Sequence, residues 1–298
     1  MVRLNNLCKT YGTTKAIEDI SFEVNENEIF GLIGPDGAGK TTIMQIVATL
    51  LVPDSGIAEV CGMEVNANFK ALRKHIGYMP GKFSLYPDLS IEENIEFFAA
   101  LFGTTVQENY HLVSDIYSQI EPFKDRPAGK LSGGMKQKLA LSCALIHKPK
   151  LLILDEPTTG VDAVSRKEFW GMLKNLQKKG ISILVSTPYM DEAALCDRVA
   201  LMQSGKILQI DTPQAVVNSF NEVLYAVTSD KVYKMKEYLK HSNYCKNVHL
   251  FGQEVHVTLN TGVIDNVVTE LKNTGFSNVE IKPINPTVED CFMKLMVQ

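Results

Sequence analysis

The sequence lacks several features that would assign it to a specialised class of protein. Its six cysteines form no C-x-x-C pair, which argues against a zinc site or a disulfide framework and suits a reducing cytosol. The first residues lack the apolar stretch of a signal peptide. No apolar run approaches the roughly 18 residues that a membrane-spanning helix needs. We therefore expect a cytoplasmic chain that reaches a membrane only through a partner.

A strong excess of charge of one sign is absent as well. The formal net charge is −4, which gives no overall attraction to nucleic acid or to anionic lipid. Hydrophobic residues make up 45% of the 298 positions, as is ordinary for a globular protein. A chain of this length can bury the core of one large domain or of two smaller domains. We expect no nucleic-acid partner.

A glycine-rich segment between a strand pattern and a helix pattern is the most informative stretch. The apolar run Ile29–Ile33 precedes it, and apolar residues at helical spacing follow it. The segment consists of Gly34, Pro35, Asp36, Gly37, Ala38, Gly39, Lys40, Thr41 and Thr42. Its G-x-x-x-x-G-K-T pattern is that of a phosphate-binding P-loop, whose glycines bring backbone N–H groups close to phosphate oxygens.

Two side chains of this segment have distinct expected roles. Lys40 would reach the β- and γ-phosphates, and the hydroxyl of Thr41 would bind Mg²⁺. The structural alternative is a flexible glycine-rich turn with a surface lysine, which would not require the complete pattern. The sequence therefore predicts that the chain binds a nucleoside triphosphate.

A second apolar run, Leu151–Asp155, ends in acidic residues. Its continuous apolar character is typical of a strand in a buried parallel sheet. Asp155 would hold Mg²⁺ directly or through a water molecule, and Glu156 would polarise the attacking water. An acidic pair at a strand end is weak evidence alone, since such ends often turn into solvent, but the preceding P-loop strengthens the functional interpretation.

The segment Leu131-Ser132-Gly133-Gly134-Met135 opens a predicted helix that runs to residue 145. A hydroxyl and two glycine N–H groups at a helix N-terminus are suited to phosphate. An ordinary helix start capped by Ser132 explains the same residues equally well.

Taken together, these motifs resemble the nucleotide-binding subunits of ATP-binding cassette (ABC) transporters over about residues 2–220. The resemblance rests on the P-loop, on LSGGM at 131–135, on LLILDE at 151–156 and on TGVD at 159–162. It implies an α/β fold, the P-loop NTPase domain of the ABC type, with a helical insertion at about 91–125.

The resemblance also implies how the site is used. ATP and Mg²⁺ would be the cofactors, and Tyr11 would stack on the adenine ring. The family forms head-to-tail dimers, so Ser132, Gly133 and Gly134 would contact the nucleotide bound to the P-loop of a second ABC subunit. Membrane-spanning permease subunits would be the other partners, which places the chain at the cytoplasmic face of the cell membrane.

Two positions depart from the family pattern. Gly81 stands where the family has a glutamine that contacts Mg²⁺ and the attacking water. Pro188 stands where the family has a histidine that contacts the γ-phosphate, and no histidine lies nearby in sequence. Glu156 is retained, so we expect firm MgATP binding and slow hydrolysis at this P-loop. A heterodimer with a competent ABC subunit is favoured, and a homodimer stays open.

The remaining chain is less informative. Residues 221–298 predict a small C-terminal α+β unit, with strand-like alternation at 222–227, 248–251 and 254–259. This unit and the residues 189–193 resemble the ATP subunits of exporters of the drug and ABC-2 type. Phe83, Tyr86 and Leu89 are candidate contacts for a membrane subunit, with core packing as the alternative.

Two other functions stay open from the sequence. One is an ATP-binding regulatory subunit with little turnover, which Gly81 and Pro188 would explain. The other is a soluble ABC protein acting on the ribosome or on DNA. Such relatives generally carry two cassettes, a basic linker or a long coiled coil, whereas this chain has one cassette and an acidic balance.

Overall fold

The computed structural model describes residues 1–260 and 264–296, in two compact units. The first unit ends at Pro213 and the second begins at Gln214. The sequence interpretation placed the domain boundary at residue 220. The structure places the boundary earlier, within the helix Pro213–Asn218, and groups that helix from Gln214 onward with the second unit.

The described residues form strands with the following bounds: β1 (Val2–Tyr11), β2 (Thr14–Val24), β3 (Ile29–Ile33), β4 (Ser55–Val60), β5 (Met63–Glu64), β6 (Ile76–Met79), β7 (Leu151–Asp155), β8 (Ser182–Thr187), β9 (Arg198–Gln203), β10 (Lys206–Asp211), β11 (Leu224–Thr228), β12 (Cys245–Phe251), β13 (Glu254–Leu259) and β14 (Glu280–Ile284).

The α-helices have the following bounds: α1 (Lys40–Val47), α2 (Val65–Leu72), α3 (Ile91–Leu101), α4 (Val106–Tyr117), α5 (Gly133–Leu145), α6 (Ala163–Lys178), α7 (Pro213–Asn218), α8 (Val232–Lys240), α9 (Ile264–Asn273) and α10 (Val288–Leu295). Short 3₁₀ turns lie at Glu121–Phe123, Ala128–Lys130 and Met190–Leu195.

A six-stranded sheet in the order β10-β9-β3-β8-β7-β6 forms the centre of the first unit. All of its neighbouring pairs are parallel except β9 and β10, and β3, β7 and β8 are buried along their whole length. Burial on both faces explains why these strands are continuous apolar runs. Since β8 lies between β3 and β7, the carboxyl ends of these three strands meet at one edge, where ligands of open α/β sheets bind.

An antiparallel sheet in the order β2-β1-β4-β5 completes the first unit. Its apolar face joins one core with the central sheet, where Phe22 stacks on Phe30 with 5.1 Å between ring centroids. Strands β1 and β2 form one long hairpin, because backbone pairing continues to Tyr11 and Thr14.

Helices α3 to α5 carry the predicted helical insertion and the start of the LSGGM helix. Ser90 and Glu93 form a capping box at the start of α3, since each side chain accepts the other residue's backbone N–H. Helix α5 begins at Gly133, directly after Ser132.

The second unit contains an antiparallel sheet in the order β12-β13-β11-β14. Helices α8 and α9 bury one face of it, where Val255 and Val257 meet Met235 and Leu271. His256, between the two valines, points to the other face and contacts Asp290 of α10 at 2.6 Å. The unit is therefore an α+β layer with its own apolar core.

Candidate nucleotide-binding site

The P-loop backbone requires glycine at two positions. At Gly34 an added Cβ would lie 2.3 Å from the carbonyl oxygen of Met202, and at Gly39 it would lie 2.5 Å from that of Ala16. Gly39 also has a φ of 98°, a left-handed value that favours glycine. It precedes the first residue of α1, and no side chain caps that helix. The first N–H groups of α1 are therefore not taken up by a side-chain cap, as a phosphate-binding turn requires.

Lys40 connects the P-loop to the end of β7. Its side chain is 3% exposed, and its ammonium group donates to the carbonyl oxygens of Gly34 at 2.7 Å and Pro35 at 3.0 Å. It also forms an ion pair with Glu156, with 3.2 Å between Nζ and Oε1. Two motifs that are far apart in sequence thus meet through one buried charge.

Asp155 lies at the same edge and is bound on one oxygen. Its Oδ1 accepts hydrogen bonds from Ser186 Oγ at 2.6 Å and from Thr41 Oγ1 at 3.2 Å. Burial raises the pKa of the Asp155 carboxyl, and these two hydrogen bonds offset the effect only in part. A hydroxyl and a carboxylate at this distance are the hard oxygen ligands that Mg²⁺ prefers, so the residues fit that ion.

Glu156 has an unusual backbone for a non-glycine residue. Its φ is 49°, in the left-handed region, and its N–H donates to both the carbonyl oxygen and the hydroxyl of Ser186, at 3.1 and 3.0 Å. The nearby Tyr78 is not a base at neutral pH, since burial and the Asp155 charge raise its pKa to about 12. Glu156 is thus the partly exposed carboxylate of this edge that can act on a water molecule.

Tyr11 and the LSGGM residues lie apart from this cluster. Tyr11, at the end of β1, is 48% exposed. Ser132 caps α5 by accepting from the N–H of Met135 at 3.3 Å. Within the described residues, no hydrogen bond or ion pair joins either Tyr11 or the LSGGM residues to the P-loop. Tyr11, Ser132 and Gly133 are exposed and Gly134 is partly exposed, so a ligand or another chain can reach them.

The two departures from the family pattern lie at the same edge of the sheet. Gly81 follows β6, and an added Cβ there would lie 3.0 Å from the carbonyl oxygen of Asp155, a close contact. Pro188 follows β8 and offers no polar side chain. His75 and His147 cannot replace the missing histidine, because both lie at the amino end of β6, on the opposite side of the sheet.

A groove of about 670 Å³ adjoins Gly81. Phe83, Leu101 and Phe102 give it apolar walls, whereas Tyr86 packs on Phe97 outside it and Leu89 does not line it. Its charged lining residues are the cations Arg73, Lys82 and Lys136, which form no ion pair in the described part of the chain.

Sequence reasoning missed the role of β8 at this site. The hydroxyl and carbonyl of Ser186 hold the end of β7, and the carbonyl of Thr187 accepts the N–H of Gly34 at 3.3 Å. A polar Ser-Thr pair at the end of a buried apolar strand was the signal that could have pointed to these contacts.

Comparison with known proteins agrees with this geometry. The family model described as ABC transporter matches residues 17–159. The probable multidrug ABC transporter ATP-binding protein YbhF of Escherichia coli is 40% identical over 216 residues, which cover 72% of this chain and 37% of that protein. The Nod factor export ATP-binding protein I of Burkholderia orbicola is 37% identical over 221 residues, covering 73% of each chain.

Among solved structures, cbiO1 of Clostridium perfringens, part of the ABC transporter complex cbiONQ, is 28% identical with a TM-score of 0.65. The match covers 74% of this chain and 94% of that one. No helix in the described ranges is both long and apolar enough to cross a membrane. With its P-loop, its acidic strand end and these relatives, the chain belongs to the ABC transporter family.

Proposed function

We propose that this subunit binds MgATP between its own P-loop and the LSGGM segment of a second ABC subunit, and that this event drives export by separate membrane subunits. The observation that carries the proposal is the convergence of Lys40, Thr41, Asp155 and Glu156 at one edge of the central sheet. This arrangement is open to a nucleotide on the side of the uncapped N-terminus of α1.

Each residue of the site has a proposed task. Lys40 binds the β- and γ-phosphate oxygens, and the N–H groups of the segment from Gly34 to Thr42 surround them. Thr41 and Asp155 hold Mg²⁺, which neutralises phosphate charge when bound. Glu156 polarises the attacking water. Tyr11, being exposed at the end of β1, stacks on the adenine ring.

Hydrolysis at this site is proposed to be slow. Gly81 and Pro188 provide no side-chain contact to the γ-phosphate or to the water, whereas Glu156 remains in place. Removing one stabilising donor typically lowers catalysis about 100-fold or more. The accessible Ser132, Gly133 and Gly134 can still complete a site on another subunit, so a heterodimer is favoured over a homodimer.

The groove beside Gly81 is the proposed docking site for a membrane subunit. Apolar walls with three cations that form no ion pair among the described residues fit a short amphipathic segment that carries acidic residues. Because two relatives are named for multidrug transport and for Nod factor export, an exporter at the cytoplasmic face of the membrane is the proposed setting. Lys136→Glu should abolish co-purification with the membrane subunits. The same charge change at the exposed Lys178, outside the groove, should not.

The decisive measurement is phosphate release by the purified chain alone and together with its partner subunit. We expect tight MgATP binding, little turnover by the chain alone, and faster turnover when a second ABC subunit is present. A rate for the chain alone that equals that of an ordinary ABC ATPase, and that Glu156→Gln abolishes, would refute the slow site.

An ATP-binding regulatory subunit is the second candidate, since Gly81 and Pro188 favour low turnover. It predicts ATP-dependent association with a partner and no turnover even in the complex. The same co-purified complex distinguishes the two functions, because only the transport subunit contributes its LSGGM segment to a working site. Ser132→Phe in this chain would then lower the turnover of the complex.

A further inference from the structure

Ser186 occupies a central place among the acidic residues of the site. It pairs with Asp155 in the register of β7 and β8 and is fully buried. Its hydroxyl lies 2.6 Å from Asp155 Oδ1 and 3.0 Å from the backbone nitrogen of Glu156. One side chain therefore contacts both residues that the proposed function assigns to the metal and to the attacking water.

The two contacts determine the direction in which the hydroxyl points its proton. A backbone N–H can only donate, so the oxygen of Ser186 must accept from Glu156. The single proton of the hydroxyl is then directed to Asp155, which accepts it on Oδ1. Together with Thr41, this engages Oδ1 fully, while no hydrogen bond in the described residues ends on Oδ2.

The backbone of Glu156 gives this contact a second consequence. A φ of 49° is unfavourable for a residue with a side chain, and it persists where the surroundings determine it. The N–H of Glu156 donates to both the carbonyl and the hydroxyl of Ser186. These two acceptors favour the backbone turn that directs the carboxylate of Glu156 back to Lys40.

We propose that Ser186 is a positioning residue for the ATPase site, which orients Asp155 for the divalent cation and Glu156 for the attacking water. The proposal rests on the proposed function of these two acids. It assigns to β8 a task that does not depend on the residue at position 188. The strand that lacks the phosphate-sensing histidine thus still organises the adjacent strand end.

The chain contains a matched control on the same strand. Ser182 is also fully buried, and its hydroxyl also accepts a backbone N–H, from Asn27 at 2.9 Å. It lies at the amino end of β8, away from the site. Loss of either hydroxyl removes a side-chain acceptor from one backbone N–H, so Ser182→Ala controls for the loss of a buried hydroxyl on β8 without touching the acids.

The experiment compares the affinity for a non-hydrolysable ATP analogue, AMP-PNP, in Mn²⁺ and in EDTA. We expect Ser186→Ala to weaken binding in Mn²⁺ about tenfold or more, the usual effect of removing a partner of a metal ligand, and to leave binding in EDTA unchanged. Its kcat should fall more than its KM changes. Ser182→Ala should lower the melting temperature without changing either affinity.

A second pair of variants separates the hydroxyl from the packing. Thr adds one methyl group to the serine and keeps the hydroxyl, whereas Val replaces that hydroxyl by a second methyl group. Ser186→Thr should therefore keep the gain in AMP-PNP affinity that Mn²⁺ gives over EDTA, and Ser186→Val should lose it. The positioning role would be overturned if Ser186→Thr and Ser186→Val showed the same gain in affinity from Mn²⁺, or if Ser186→Ala and Ser182→Ala did. If Asp155→Ala also keeps the gain in affinity from Mn²⁺, the proposed metal role of Asp155 fails as well. If Asp155→Ala abolishes that gain, only the role proposed for Ser186 is wrong.

Discussion

Each unit of the chain buries a carboxylate, but the two carboxylates are held in different ways. Asp155 is 3% exposed and Asp290 is 4% exposed. In the second unit both oxygens of Asp290 are engaged, Oδ1 by His256 at 2.6 Å and Oδ2 by the N–H and hydroxyl of Thr287 at 2.8 and 2.7 Å. In the first unit, hydrogen bonds from the described residues reach only Oδ1 of Asp155.

The ionisation of the two groups differs accordingly. Burial alone would raise the pKa of Asp290, but the hydrogen bonds from His256 and Thr287 outweigh it and hold that pKa below its usual value. At Asp155 burial prevails and the pKa is raised. The comparison indicates that a fully satisfied buried acid stabilises the fold, whereas a partly satisfied one is available for a ligand.

The largest effect should follow from changing the acid next to Asp155. Glu156→Gln keeps the size of the side chain and removes the base, so turnover should fall about a thousandfold, within the usual contribution of a general base. ATP affinity should change little. Glu168→Gln, at an exposed ion pair with Lys138, is the control and should leave phosphate release unchanged. Unchanged turnover in Glu156→Gln would assign the base elsewhere.

The next effect concerns the cation that connects the P-loop to this acid. Lys40→Ala removes charge-assisted contacts to phosphate, each worth about 1.5–3 kcal/mol, so ATP affinity should fall about 100-fold. Isothermal titration calorimetry measures it directly, with the exposed Lys178→Ala as the control. An affinity within threefold of the original would contradict the role of Lys40.

A gain of function tests the two missing contacts. Pro188→His should raise turnover by about tenfold, since it adds a donor at the end of β8. Gly81→Gln should raise it less, because a side chain there must first move away from the carbonyl of Asp155. Phosphate release by the single and double variants is the measurement. If neither variant raises the rate, slow hydrolysis has another cause.

The smallest effects should have opposite signs in the two units. At pH 7, Asp290→Asn should lower stability by about 1.5–3 kcal/mol, the value of a charge-assisted hydrogen bond. Its lowered pKa means that this stabilisation is present above about pH 4, the unfolded pKa, and is lost as the pH falls through the folded value. The difference between the variant and the original chain should therefore disappear in acid.

Asp155→Asn should instead raise the melting temperature at pH 7. A raised pKa means that the fold disfavours the ionised form, and this penalty is present at neutral pH and vanishes once the group is protonated in acid. Thermal unfolding of both variants between pH 3 and pH 7, with no nucleotide added, is the measurement. If Asp290→Asn and Asp155→Asn shifted the melting temperature in the same direction, the distinction between the two acids would be wrong.

The parts of the molecule that were predictable from sequence have strict local requirements. The P-loop needs glycine at specific positions, and β7 needs a continuous apolar run. Strand β14 was missed, because Glu280–Ile284 mixes charged residues with a proline and shows no alternation. Strand β12 starts three residues before the predicted 248, since Cys245, Lys246 and Asn247 interrupt its apolar pattern.

The contacts within the site could not be predicted from the sequence, for another reason. The pair of Lys40 and Glu156 and the bridge through Ser186 join strands that are neighbours only because β8 lies between β3 and β7. That strand order comes from the packing of the whole sheet, and no local pattern encodes it.

The ion pair between Lys40 and Glu156 has a consequence for how the nucleotide enters. The charge of the lysine is already balanced by a carboxylate 3.2 Å away, so a phosphate that reaches the P-loop replaces one anion with another. Under the proposed function, nucleotide binding exchanges one counter-ion of Lys40 for another, and the arriving γ-phosphate releases the Glu156 carboxylate from the lysine. The ion pair thereby couples the arrival of the phosphate to the release of the residue that polarises the attacking water.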